Sequence, residues 1–308
     1  MNTINYSIII PHKNIPKLLE RCLASIPQRD DIQVIVVDDN SDADIVETWR
    51  ATSLPKYPHV EFVFAKNKNG RKGAGYARNI GLEHAKGKWI VFADADDFFM
   101  PCVDEAMTQY ADDEHDVVFF FCNSVDSDTL QPANREEYLN NRLKHIQKTG
   151  NWEIAFRLAV CWARFIKHDV IRQHALSFPE IYTSEDLPFV NKLSVVTTNQ
   201  TIADYDIYCV TERKGSLMTD KRAKTQKLRF KMACWSVDYL NRYGQGHQVK
   251  KNVNYWWTKL YNASRLQAIL SVPRLIKTNG WDYSRTFLRK FSKKRFKNWR
   301  RGKNSEYF

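Results

Sequence analysis

The chain has 308 residues, 43% of them hydrophobic and 27% charged, with a formal net charge of +12. That length and apolar share suit one large domain, or a domain with an appendage, around a substantial core. No apolar run approaches the roughly 18–20 residues that span a bilayer, so no transmembrane helix is expected in this sequence.

Residues 1–5 lack a basic cluster and a small-residue cleavage site and run directly into a strand-like segment, so no signal peptide is expected. Residues 6–10 are a β-branched run stopped by Pro11 and predict a first buried strand. Asn14, Ile15 and Pro16 open a helix with apolar residues at Leu18, Leu19, Cys22, Leu23 and Ile26, which Pro27 stops. Residues 32–37 predict a second strand that ends in Asp38, Asp39, Asn40 and Ser41, where Ser41 or Asp42 can cap the next helix. Residues 60–65 predict a third strand, 67–75 a Gly- and Lys-rich loop, and 74–85 a helix stopped by Gly87. Residues 89–93 (Trp-Ile-Val-Phe-Ala) predict another buried strand, which ends in Asp94, Ala95, Asp96 and Asp97. Strands alternating with helices indicate βαβ units and a mostly parallel sheet, and ligands of such sheets bind beyond the carboxyl ends of the strands. Carboxylates at that edge suit a hard cation such as Mg²⁺ or Mn²⁺; a solvated acidic turn would read the same way.

Further on, a helix runs from Pro101 to about residue 111, and residues 116–122 predict a strand. Residues 123–150 are polar and receive no assignment. Residues 152–162 predict a one-sided apolar helix, 163–166 a short strand and 168–173 a short helix. Ser184, Glu185 and Asp186 precede an apolar helix over 187–196, and 204–210 predict a further strand. The main body is expected to span 1–220. The six cysteines are scattered without a C-x-x-C pair and read as core thiols in a reducing cytosol rather than as a zinc site.

Several of these segments resemble, in order, the motifs of one family. Residues 7–11 with Asn14 are similar to its first strand, and Val36 through Ser41 to its second-strand signature. Asn69-Gly70 with Ala77-Arg78-Asn79-Ile80-Gly81 is similar to its "G…ARN.G" segment. Asp94-Ala95-Asp96-Asp97 is similar to its DxD motif, Glu185-Asp186 to its ED motif, and Arg213-Lys214-Gly215-Ser216 to its late "R..GS" loop. The chain thus resembles the inverting, nucleotide-sugar-dependent glycosyltransferases of family 2, of the kind that build bacterial cell-surface glycans, over about residues 5–220. The resemblance implies a GT-A fold, an α/β Rossmann-like sheet flanked by helices, and a UDP-sugar donor. Two departures stand out: His12-Lys13 follows the first-strand proline, and no histidine lies between 175 and 246 to complete a metal shell.

By this resemblance Asp96 is expected to ligate Mn²⁺ or Mg²⁺ directly, with Asp94 at the metal or the ribose and Asp97 at the sugar or in a structural hydrogen bond. Asp39 is expected at the uracil imide, with Asp38 structural. Pro11, Ala95, Arg71, Arg78, Arg213 and Ser216 join the nucleotide-sugar site, Arg78 through base or phosphate; Arg71 and Lys72 read equally as a solvated loop. Asp186 is the expected general base and Glu185 its positioning partner, though two first-turn acids on a helix dipole would look alike. Arg213 and Ser216 read equally as an ordinary turn. The acceptor is expected to be a lipid-linked or lipopolysaccharide/capsule-type glycan; the alternative is a catalytically inactive GT-A-like binding or scaffold protein with a membrane- or polyanion-binding tail.

Residues 221–308 differ in character. They hold 23 Lys+Arg against 3 acids, whereas the rest of the chain holds 24 basic and 32 acidic residues. This helical, basic, aromatic-rich extension implies an anionic partner. Residues 224–243 and 253–270 predict long helices. Over 286–301, a turn of about 100° per residue puts Phe287, Leu288, Phe291, Phe296 and Trp299 on one half and most of the basic residues on the other. Such a helix suits an anionic membrane surface through 280–308; a helix docked on the body is the alternative. Nucleic acid is the weaker reading, because no binding module is recognised. The expected location is the cytoplasm, peripheral on the inner membrane's cytoplasmic face.

Overall fold

The structure, a computed structural model, describes residues 3–65, 73–213 and 215–300; the side chains at 218, 290 and 293–300 fall outside that description. Residues 66–72 (with Asn69, Gly70, Arg71 and Lys72), Lys214 and 301–308 are therefore outside it. The chain divides into two compact units, Met1–Thr219 and Asp220–Phe308.

In the first unit the order is β1 (Tyr6–His12), α1 (Pro16–Ala24), β2 (Ile32–Asp38), α2 (Ala43–Thr52), β3 (Val60–Phe64), α3 (Ala74–His84), β4 (Trp89–Phe92), β5 (Phe98–Phe99), α4 (Val103–Tyr110), β6 (Val117–Asp126), α5 (Glu137–Thr149), β7 (Arg164–Lys167), α6 (His168–Gln173), α7 (Asp186–Val196) and β8 (Gln200–Glu212). The strands form one sheet in the order β3-β2-β1-β4-β7-β6-β8-β5. Its first four members are parallel, whereas β7 runs antiparallel to both β4 and β6, and β5 antiparallel to β8. Half of the sheet is thus the expected βαβ array and half is mixed. All four residues of β4 are buried, as a strand covered on both faces requires.

Pro11 does not end β1. The strand continues to His12, with Pro11 paired to Val37. Ile9 faces β4, since its carbonyl accepts from the Ala93 amide, and His12 faces β2 through the Asp39 amide. Pro11 therefore faces β4 like Ile9, past the last ladder pair Ile9–Phe92, where a missing N–H costs no ladder bond.

Two other expectations change. The helix over 152–162 is a 3-10 turn at Trp152–Arg157 followed by chain without regular structure, and Ala163 takes a left-handed φ of 53° that no helix continues through. The unassigned polar stretch contains α5, which buries Leu139, Leu143 and Ile146 on one side and ends on left-handed Gly150.

The second unit contains α8 (Ala223–Asn241), α9 (Lys250–Ala263), α10 (Arg265–Leu270), α11 (Val272–Asn279) and α12 (Trp281–Arg300). The predicted helix over 253–270 is broken at Ser264, whose hydroxyl accepts from the Gln267 amide and so caps α10. Phe287 and Phe291 on α12 pack edge-on against Trp257 of α9, with ring centroids 5.8 and 5.4 Å apart. This described part of the helix's aromatic side thus packs within its own unit. No helix among the described residues is long and apolar enough to cross a membrane.

Candidate active site

The acidic turn follows β4, at the carboxyl end of the parallel strands, and the end of β8 clamps it. The Tyr208 hydroxyl accepts from the Asp94 amide at 2.8 Å and donates to Asp97 Oδ2 at 2.9 Å. The Thr211 amide donates to Asp97 Oδ1, and the Thr211 hydroxyl to the Asp96 carbonyl. Arg21 on α1 donates to that same carbonyl at 2.7 Å. Tyr208 is fully buried, between Trp162 and Phe99. Asp97 is 2% exposed, and burial pushes its carboxyl well above the usual range, with the charges of Asp94 and Asp96 adding to the effect. Asp97 is thus bound up in structural hydrogen bonds. Asp96 instead pairs with Arg213, whose Nε lies 2.7 Å from Oδ2.

Arg78 joins this turn to the start of α7. Its guanidinium is 2% exposed and donates to Asp94 Oδ1 at 2.6 Å, Asp186 Oδ1 at 2.8 Å and Glu185 Oε1 at 3.3 Å. The structure thus spends Arg78 on three carboxylates, where the sequence suggested base or phosphate; a planar fork with several donors suits such a junction, and a buried cation requires compensation. Burial, with the Asp186 charge beside it, pushes Glu185 up to about 7 against the attraction of Arg78. Ser184, just before it, holds a left-handed φ of 63°, a strained setting for a residue with a side chain. The Cys161 thiol donates to Asp186 Oδ1 at 3.5 Å.

Three letters of the α3 motif, Arg78, Asn79 and Gly81, have a physical task. Arg78 serves the carboxylates. Asn79 brackets the backbone of Phe178, donating to its carbonyl at 2.9 Å and accepting from its amide at 2.8 Å. Gly81 rests on Ile9, where an added Cβ would come within 2.3 Å of a methyl carbon. Gly75 lies so close to the Pro179 carbonyl that a Cβ would approach it to 2.6 Å. These contacts hold segment 178–185 against α3, and Phe178 stacks on Phe189 of α7 with centroids 4.0 Å apart.

On β2, Asp38 takes His12 Nδ1 at 3.0 Å and the Ser41 amide and hydroxyl, a structural role. Asp39 is 5% exposed and accepts from the Gly73 amide at 2.8 Å, at the start of α3. Pro11 is half-buried and Ala95 is buried. Ser216 lies in the turn before Leu217–Thr219, where its carbonyl accepts from Thr219. Arg71 lies outside the described residues.

One ligating oxygen from each of Asp94, Asp96 and Asp97 falls within 4.8 Å of the others. Carboxylate oxygens on one turn are the donors a hard divalent cation takes, so the set fits Mg²⁺ or Mn²⁺, chiefly through Asp94 and Asp96 because both Asp97 oxygens are engaged. Tyr208, Cys161 and Arg21 escaped sequence reasoning. A tyrosine inside a predicted buried strand does demand a hydroxyl partner, which was the one available signal.

The glycosyl transferase family 2 model matches residues 7–174. The chain is 29% identical over 197 residues to the putative glycosyltransferase EpsH of Bacillus subtilis, covering 58% of this chain and 52% of EpsH, so it spans about half the length of that relative. To the poly(ribitol-phosphate) beta-N-acetylglucosaminyltransferase TarS of Staphylococcus aureus it is 24% identical over 255 residues, covering 77% of this chain and 41% of TarS. The fold matches the crystal structure of TarS 1–349 in complex with UDP-GlcNAc at a TM-score of 0.59 and 19% identity, over 89% of this chain and 79% of that one. It also matches mannosyltransferase PcManGT from Pyrobaculum calidifontis, in complex with GDP-Man and Mn²⁺, at 0.55 and 17% identity, over 93% of this chain and 86% of that one. The matched segment covers more than half of the chain, and the sheet is that of the GT-A fold: the chain belongs to glycosyl transferase family 2.

Proposed function

We propose that this chain is a metal-dependent, inverting glycosyltransferase that moves a hexose or N-acetylhexosamine from a UDP-sugar to a hydroxyl of a surface glycan, lipid-linked or of the lipopolysaccharide or capsule type. The observation that carries the reading is the reach of Arg78. One guanidinium binds both Asp94 and Asp186, so a donor-binding carboxylate and a base carboxylate sit a few ångströms apart, as a single displacement at an anomeric carbon needs.

In this reading Asp96 and Asp94 hold Mn²⁺ or Mg²⁺, which when bound supplies Lewis-acid stabilisation of the leaving diphosphate. Asp39 accepts a hydrogen bond from the uracil imide N–H, and Arg213 and Ser216 order the loop over the diphosphate. Asp186 takes the acceptor's hydroxyl proton through Oδ2, its Oδ1 being tied to Arg78 and Cys161. Glu185 positions Asp186 through the shared guanidinium. The TarS complex with UDP-GlcNAc supports the donor class, and poly(ribitol-phosphate), the polymer for which TarS is named, supports a polymeric acceptor. Residues 1–220 carry the chemistry. Residues 221–308 hold the enzyme against the anionic cytoplasmic face of the membrane.

A panel of nucleotide sugars, scored by nucleotide release with Mn²⁺ or Mg²⁺, tests the donor. Asp186→Asn is expected to cut transfer by about 10²–10⁴-fold while donor affinity holds. Unchanged turnover in that variant would overturn the base assignment.

A further inference from the structure

The second unit presents an apolar face that its own packing leaves open. Leu266, Ile269 and Leu270 on α10 follow the i, i+3, i+4 spacing of one helix side, and they are 66%, 59% and 71% exposed. Ala268 points the other way: it is fully buried, and its carbonyl accepts from the Trp257 indole at 3.1 Å. The orientation of α10 is therefore set from within, by Trp257 beneath it and the Ser264 cap before it. Three large aliphatic side chains on the solvent side of one short helix exceed the scattered apolar exposure normal for a soluble surface. Trp281, which opens α12, is also 60% exposed.

Charge selects the occupant. From 250 to 281 the sequence holds Lys250, Lys251, Lys259, Arg265, Arg274 and Lys277 and no acid. Among these, Arg274 is paired with Asp238. A second copy docking by this face would bring like charges together, and a nucleic-acid backbone would match the charge but offer aliphatic side chains nothing to bury against. An anionic lipid surface meets both demands, with headgroups for the cations and acyl chains for the leucines.

We propose that the outer face of α10 is an interfacial anchor whose Leu266, Ile269 and Leu270 insert into an anionic bilayer surface. The anchor rests on the membrane-face reading above and is independent of the donor and of the catalytic carboxylates. The aromatic residues Phe287 and Phe291 serve the fold instead, and α10 takes the contact that the sequence assigned to their side of α12.

The test is co-sedimentation of the full chain with phosphatidylglycerol–phosphatidylcholine vesicles and with pure phosphatidylcholine vesicles. The wild type is expected to bind the anionic vesicles, and L266S/I269S/L270S to bind them at least about tenfold more weakly. The nucleotide release of that variant on soluble substrates should be unchanged. If the triple variant does not fold, Leu270→Glu, at the most exposed of the three positions, carries the same expectation. Equal binding by variant and wild type overturns the α10 anchor while leaving attraction by the basic residues standing. A wild type that binds neither vesicle overturns the membrane-face reading and the anchor together, without touching the glycosyltransferase chemistry. A self-association seen by light scattering, lost in the triple variant and unaccompanied by vesicle binding, would make the face an interface between copies and overturn the proposal.

Discussion

Replacing Arg78 by methionine removes the cation that three carboxylates share. With charge centres about 4 Å apart and an effective dielectric near 20, each pair is worth about 4 kcal/mol of gross attraction. Desolvation of the four groups and repulsion among the acids offset much of that. What remains decisive is the state left behind: Asp94, Glu185 and Asp186 facing one another with Glu185 buried. Breaking a buried pair from one side costs about 3–5 kcal/mol. In a domain of this size that is about 2–4 °C per kcal/mol, or about 6–20 °C in melting temperature. The loss should depend on pH. Without Arg78 the Glu185 carboxyl, already pushed up to about 7, rises further. A carboxyl raised in the folded state favours folding while protonated, and that contribution is lost as pH rises through its folded value. Thermal melts of Arg78→Met should therefore show a larger deficit at pH 8 than at pH 5.5, and Arg78→Lys should recover little of it, since an ammonium cannot span three partners. A melting temperature within a degree or so of wild type at pH 8, or an equal deficit at both pH values, would refute the reasoning.

Other expectations follow from the same contacts. Glu185→Gln should stabilise the fold at pH 8 by up to about 3 kcal/mol and by almost nothing near pH 4, because the displacement from 4.5 to about 7 is a stability cost felt only above the unfolded value; equal shifts in melting temperature at both pH values would contradict it. Tyr208→Phe leaves the Asp94 amide without its hydroxyl acceptor and should cost about 1–3 kcal/mol, together with a weaker Mn²⁺ titration in the presence of UDP; calorimetry showing wild-type values for both would count against the clamp. Arg213→Ala frees Asp96 and should have two opposite effects: tighter Mn²⁺ binding to the nucleotide-free protein and a raised KM for donor. Weaker Mn²⁺ binding in that variant would show that the ion pair does not compete with the metal.

The parallel half of the fold was legible because its strands carry their burial openly: 89–92 is apolar at every position, and the structure buries all four. Polar residues at the strand ends marked the site's edge for the same reason. The period over 152–162 misled because burial there is divided between a 3-10 turn, which buries Ile154 and Ala155, and an irregular segment, which buries Leu158, Cys161 and Trp162, and a left-handed alanine carries no compositional mark. The Leu139, Leu143, Ile146 pattern of α5 was present but diluted by polar neighbours. Site residues announced themselves where a motif is contiguous. The ties between them did not: Arg78 to Asp186 spans 108 residues and Tyr208 to Asp94 spans 114, and no local pattern encodes either.

The three tasks of α3 constrain how the chain can change length. Arg78, Asn79 and Gly81 point to three different neighbours (carboxylates, the Phe178 backbone and Ile9), and Gly73, at φ 105°, pins the helix start with its Cα facing the Ile181 carbonyl. A one-residue insertion within the helix would rotate everything after it by about 100° and undo the later contacts at once. The helix can thus diverge only by substitution, one contact at a time.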